Sequence, residues 1–201
     1  MRPRPSFAVV ACFLFLPLAA AAQNHRPPRA DLYTGISYSN ISVAGLGDRK
    51  NAIGWSADLT LNANRFFGVS FDFGGQYDPK CPENDTQCFV EKILANEIQQ
   101  YSAYQFMAGP RFNVPTDRFN IFFHALVGGV RTRARIINVA SRTATITTSG
   151  PNLAMAFGGG LEWKVADRFA VRLVQVDYIP VRESPTWRRN VRIQGGIVLR
   201  F

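Results

Sequence analysis

The chain has 201 residues, with 23 basic and 14 acidic side chains and a formal net charge of +9. That length accommodates one domain or one barrel. Beyond the first 22 residues no stretch approaches the roughly 20 unbroken apolar residues of a transmembrane helix, so any passage through a membrane must be made by strands.

Residues 1–22 stand apart from the rest. Arg2 and Arg4 precede an apolar run from Phe7 to Ala19, and Ala20-Ala21-Ala22 precede Gln23. This is the layout of a cleaved secretory signal peptide. Its removal leaves 21 basic and 14 acidic residues. Residues 23–30, with Pro27 and Pro28, read as a periplasmic leader, and residues 31–201 as one β-domain.

Asp31 to Asn40 is the first predicted strand, with Leu32, Thr34, Ile36 and Tyr38 on one face. Ile41 to Asn51 reads as a loop. Gly54 to Asn62 is the second strand, with Trp55, Ala57, Leu59 and Leu61 opposing Ser56, Asp58 and Thr60. A tight turn leads to the third, Phe66 to Tyr77. Here Phe67, Val69, Phe71 and Phe73 oppose Gly68, Ser70, Asp72 and Gly74. Large apolar groups on one side and only small or acidic ones on the other suit a lipid-facing wall around a narrow polar lumen.

Asp78 to Glu97 reads as a long loop holding Cys81 and Cys88. In an oxidising compartment that spacing suggests a small loop disulfide. Two thiols alone are too few for a structural zinc site. A short helix is conceivable over Phe89 to Ile98. Gln99 to Phe112 is the fourth strand, with a bulge expected at Pro110, which has no N–H for the ladder.

Asn120 to Arg131 is the fifth strand, with Ile121, Phe123, Ala125 and Val127 outward and His124 inward. Arg131 to Gly150 carries four arginines and no acid. Its Thr, Ile and Val content suggests a hairpin projecting beyond the membrane. Asn152 to Lys164 is the sixth strand. Phe169 to Ile179 is the seventh, and there the alternation breaks: Arg172 wants one parity, Gln175 and Asp177 the other. A bulge near Leu173–Val174 reconciles them. Pro180 to Trp187 reads as a loop, and Arg188 to Phe201 is the eighth strand.

The expected fold is therefore all-β: an eight-stranded antiparallel up-and-down transmembrane β-barrel preceded by a cleaved signal peptide. The connections alternate long and short, as in outer-membrane barrels with short periplasmic turns and longer outer loops. Aromatics fall at two heights. Tyr33, Phe66, Phe67, Phe112, Phe119, Trp163, Phe169 and Phe201 sit at the periplasmic ends. Tyr38, Trp55, Phe73, Tyr77, Tyr104, Tyr178 and Trp187 sit near the other ends. Girdles at both interfaces mark a membrane barrel.

The stretches FFHALVGGVR (Phe122 to Arg131), RLVQVDY (Arg172 to Tyr178) and the terminal GGIVLRF resemble the small eight-stranded outer-membrane β-barrel family of the OmpA transmembrane-domain type. The resemblance runs from Asp31 to Phe201. It implies residence in the outer membrane of a Gram-negative type bacterium, as a monomer, after insertion by the outer-membrane assembly machinery. Phe201 is the expected assembly signal. The peptidoglycan-binding domain of full-length relatives is absent, so no cell-wall tether is expected.

Eight strands leave an interior just filled by side chains. Asp58, Asp72, Glu162 and Asp177 are expected to pair there with Arg111, Arg172, Arg192 and Arg200, either as a structural plug or lining a gated narrow pore. His124 is placed mid-barrel with no Ser beside it, unlike the rim His and Ser of barrels that modify lipid A. No enzyme activity, metal or cofactor is expected. The outer arginines Arg131, Arg133, Arg135, Arg142, Arg188 and Arg189 suit phosphorylated glycolipid, because guanidinium matches phosphate oxygens bidentately. The expected role is structural or surface-interacting, through adhesion or lipopolysaccharide contact. A narrow channel and a lipid A-modifying enzyme are the alternatives, and a soluble barrel with inward apolar faces is a further one. Nucleic acid is not expected as a partner of an exported protein.

Overall fold

A computed structural model describes residues 28–42, 49–77, 97–138, 143–183 and 185–201. Eight strands close on themselves: β1 (Ala30–Ser42), β2 (Arg49–Asn62), β3 (Phe67–Tyr77), β4 (Glu97–Pro115), β5 (Phe119–Asn138), β6 (Thr143–Ala166), β7 (Phe169–Glu183) and β8 (Thr186–Arg200). Each pairs antiparallel with its sequence neighbours, and β1 pairs with β8 to complete the barrel. At the seam Asp31 lies opposite Arg200 and Asn40 opposite Val191. The Phe201 carbonyl accepts from the Arg29 N–H at 2.6 Å, and its own N–H donates to the Ala30 carbonyl. Every backbone row thereby finds a partner within the wall, the condition for crossing hydrocarbon.

Three tight turns gather at the end that holds both strand termini. Asn64 shapes one of them: its Oδ1 accepts from the N–H groups of Phe66 and Phe67 at 2.8 and 2.9 Å, an Asx turn. Thr116 does the same at the next, accepting from the Phe119 N–H at 3.1 Å. The wall between turns is apolar outside. Ile36, Trp55, Phe73, Phe106, Phe123, Phe157, Ile193 and Leu199 are all exposed. A band this large is not left to water by a soluble protein.

The bulge in β7 lies where the parity conflict places it. The β7–β8 register shifts between Arg172 and Gln175, Leu173 and Val174 both face outward, and Arg172, Gln175 and Asp177 are all buried inward. Pro110 makes no bulge. The register of β4 with both neighbours is the same before and after it. The Gly109 and Pro110 pairs are simply missing from the β5 ladder, which is how the lost donor is absorbed.

The outer connections differ most from expectation. Within 41–51, residues 41–42 and 49–51 are strand rather than loop, with Ser42 opposite Arg49. Pro180 to Glu183 and Thr186–Trp187 are also strand, with Glu183 opposite Thr186. Pro180 lies opposite Arg189, and the β6–β7 ladder lapses from Ala154 to Phe157 around it. Above a register shift between Val130 and Thr132, the hairpin is regular from Thr132 opposite Ser149 to Asn138 opposite Thr143. Residues 97 and 98 belong to β4, not a helix. With 19, 20 and 24 residues, β4, β5 and β6 far exceed the roughly 9–11 needed to span a bilayer. They rise as a three-stranded sheet. Among the described residues its two edges are open, because β3 meets β4 only from Ser102 and β7 meets β6 only from Ala154.

Candidate functional site

The lumen has two parts. The half toward the short turns is ionic. Glu162 lies at its centre: Oε1 accepts from Arg111 Nη2 and Arg172 Nη2, each at 2.8 Å, and Oε2 from Asn120 at 3.1 Å and Arg200 Nη2 at 3.3 Å. Arg172 also lies 3.9 Å from Asp58. A second knot sits one layer further out. Arg192 reaches Asp72 at 2.9 Å and Asp177 at 2.7 Å, and His124 Nε2 lies 2.9 Å from Asp177. Gln175 Nε2 donates to both Asp177 oxygens, and Gln105 to Asp72. Such buried charges persist only when paired and hydrogen-bonded, and these are.

Inward parity brings these groups together, and the bulge brings Arg172 into the same set as Asp177. Two aromatics were not read from the sequence as part of it. Phe122 lies between two guanidiniums, with Arg111 3.9 Å and Arg172 4.6 Å from its ring centre. Tyr33 is fully buried in the lumen under Arg172 at 3.8 Å. Tyr33 is therefore not a girdle residue: its position on β1 has the parity opposite to Leu32 and Ile36. Gly160 makes the space for Phe122, since a Cβ there would stand 2.8 Å from the ring.

The outer half of the lumen holds an apolar cluster, formed by Ile41, Tyr101, Met107, Leu126, Val130, Ile179 and Val181 among others. The sequence signal was inward-parity Met107, Leu126, Ile179 and Val181. Ser39, Gln76 and Asn190 are buried at the same level, so the lumen there is mixed, while the densest ion pairing lies below.

Of the outer arginines, Arg131 and Arg133 are exposed on the outward face of β5, opposite Tyr104 and Ser102. Arg189 is exposed, and its carbonyl accepts from Arg49 Nη2 at 3.1 Å. Arg188 has inward parity and bonds Glu183 at 2.5 Å at the mouth. Arg135 lies on β5 opposite Gln100. Arg142, Cys81 and Cys88 fall outside the described residues, as do residues 1–22. Among the described residues no group of three or more His, Cys, Asp or Glu side chains is arranged to hold a metal ion.

A closed wall with an apolar exterior, two aromatic levels and a packed interior defines a transmembrane β-barrel. The family model described as outer membrane protein beta-barrel domain matches residues 8–179, and the chain belongs to that family. It is an outer-membrane protein of Gram-negative type. Among solved structures it is similar to Ail, the attachment invasion locus protein of Yersinia pestis, at 15% identity and TM-score 0.61, covering 87% of this chain and 99% of that one. It is similar also to the Neisserial surface protein A, at 10% identity and TM-score 0.61, covering 88% and 100%. The outer membrane protein OprG from Pseudomonas aeruginosa matches at 10% identity and TM-score 0.51, covering 89% and 98%. No curated protein matches the chain in sequence. At these identities the likenesses concern the fold.

Proposed function

We propose that the barrel serves at the cell surface as a structural protein that grips the phosphorylated glycolipid of the outer leaflet. The observation that carries this is a set of outward guanidiniums just beyond the outer aromatic level. Arg131 and Arg133 lie there on β5. Arg182, opposite Trp187, and Arg189, opposite Pro180, lie there on β7 and β8. Arg135 lies further along β5, opposite Gln100. Guanidinium groups at headgroup depth meet phosphates in the geometry they bind best. Ail of Yersinia pestis is solved with the heparin analogue sucrose octasulfate, a polyanion, which accords with this charge pattern.

The test is urea unfolding in vesicles containing lipopolysaccharide, set against vesicles of phosphatidylcholine. Lipopolysaccharide is expected to stabilise the wild type. The variant Arg131→Gln/Arg133→Gln/Arg189→Gln is expected to lose about 1–3 kcal/mol of that gain, and dephosphorylated lipid A to give none of it. Equal stabilisation of variant and wild type sinks the reading.

The open-edged sheet of β4, β5 and β6 supports a second, adhesive reading, since an exposed edge accepts an extended peptide by strand addition. Proline placed between Thr143 and Thr148, where the N–H points away from β5, is expected to abolish attachment to host matrix while leaving the heat-modifiable barrel intact. Undiminished attachment excludes the edge as the adhesive element. The ion-paired and apolar segments of the lumen both weigh against the narrow-channel alternative. The mid-lumen bond of His124 to Asp177 weighs against lipid A chemistry.

A further inference from the structure

At the short-turn end, which faces the periplasm in barrels of this class, the lumen opens into a cavity of about 560 Å³. That volume lies in the range of small-molecule sites. Asp31, Asn62, Asn120 and Arg200 contribute to its floor, and Arg65 and Lys164 to its rim. Asp31, Asn120 and Arg200 are only 5, 6 and 8% exposed. Yet Asp31 Oδ1, Asn62 Oδ1, Asn120 Oδ1, Arg200 Nε and Arg65 Nε have no hydrogen-bond partner. These are five of the nine such side-chain atoms among the described residues. Buried polar groups are almost always satisfied, so a cluster of exceptions on one cavity marks a place completed by something else.

The orientation of the amides is set by their neighbours. Asn62 Nδ2 donates to Asp31 Oδ2 and to the Pro28 carbonyl, both at 3.0 Å. Asn120 Nδ2 donates to Glu162 and Asn113. Each amide therefore turns its oxygen, as an acceptor, toward whatever fills the space. Asp31 Oδ1 and Arg200 Nε stand 3.9 Å apart, too far for a direct hydrogen bond. A group that donates to the first and accepts from the second closes that span. A hydroxyl does both. A bare cation there meets Arg200, and a bare anion meets three oxygens.

The rim differs in character. Lys164 donates to the Thr116 carbonyl and keeps two further N–H groups. The Arg65 guanidinium lies 4.5 Å from the Phe66 ring centre. With Asp117 also on the rim, the balance there is one positive charge. We propose that this cavity binds an acidic saccharide, its ring hydroxyls on the Asp31, Asn62, Asn120 and Arg200 floor and its carboxylate or phosphate against Arg65 and Lys164.

Calorimetric titration of the full folded barrel in lipid nanodiscs tests this with four probes: glucuronate, glucose 6-phosphate, glucose and inorganic phosphate. Saturable binding of at least one acidic sugar is expected, at least tenfold tighter than glucose or inorganic phosphate. Whichever of glucuronate and glucose 6-phosphate binds more tightly identifies the anionic group. Arg65→Gln/Lys164→Gln, both at the rim and outside the buried knots, is expected to weaken the acidic sugar about tenfold and leave glucose unchanged. Asn62→Ala is expected to weaken both sugars alike. A flat titration with both acidic sugars overturns the proposal, and so does equal affinity of the rim variant and the wild type.

Discussion

Glu162→Gln is expected to lower the unfolding free energy of the barrel by about 3–5 kcal/mol, the range for a buried ion pair that loses one partner. One carboxylate serves three guanidiniums, those of Arg111, Arg172 and Arg200. Glu162, Arg111 and Arg172 are each no more than 1% exposed. The substitution keeps the shape but removes the charge, and it turns one acceptor into an NH₂ group facing donors. The carboxylates left near Arg172 and Arg200 are distant: Asp58 at 3.9 Å from Arg172 and Asp31 at 3.9 Å from Arg200. Urea titration in phospholipid vesicles measures the loss. Glu183→Gln breaks a pair at the partly exposed mouth and is expected to cost less than about 1 kcal/mol. A loss for Glu162→Gln as small as that of Glu183→Gln means water reaches the knot and shares its charge.

Deletion of Leu173 is expected to abolish the folded, heat-modifiable form. The β7 bulge places two consecutive residues, Leu173 and Val174, on the lipid side. With one of them gone, Arg172 takes outward parity while Gln175 and Asp177 stay inward. An arginine on the lipid face costs about 2–4 kcal/mol at the midplane and less toward the interface, the side on which Arg172 lies, so the larger loss is that of its buried partners. Glu162 loses one of its partners in the same step. Shifting the register to save Arg172 instead drives Asp177 outward and breaks its pair with Arg192. Leu173→Ala keeps the residue count and is expected to fold. Normal folding of the deletion shows that another residue absorbs the shift.

Strand parity made the wall legible, down to the bulge at residues 173–174. It also places Asp58, Asp72, Glu162 and the inward arginines in the lumen. Which of them pair was not legible, because pairing depends on reach across the barrel: Arg192 and Asp72 meet from positions 120 apart. Tyr33 was misplaced because its residue type outweighed its parity. The strand ends were read short wherever the chain leaves lipid. Above the bilayer the outward positions become polar, so the pattern that announces a strand fades at Arg131 and at Pro180 while the ladder continues. Prolines 110 and 180 looked like interruptions of the strand, yet each interrupts only one ladder. The cavity floor was hidden because its members are ordinary Asp and Asn residues at strand ends, given meaning only by closure.

The apolar cluster in the upper lumen carries a mechanical consequence. On β5, Phe123 and Val127 face out and His124 faces in; a few residues on, Arg131 and Arg133 face out and Val130 faces in. β7 makes the same exchange between Tyr178 outside and Val181 inside, with Arg182 outside. The polarity of the two faces inverts while the in–out parity along each of these stretches holds. A strand written this way has one preferred depth. Sinking the barrel by one residue pair, roughly 7 Å of strand, draws Arg131 toward hydrocarbon, and raising it lifts Phe106 and Phe123 toward water. The inversion acts as a waterline, fixing the vertical position of the barrel.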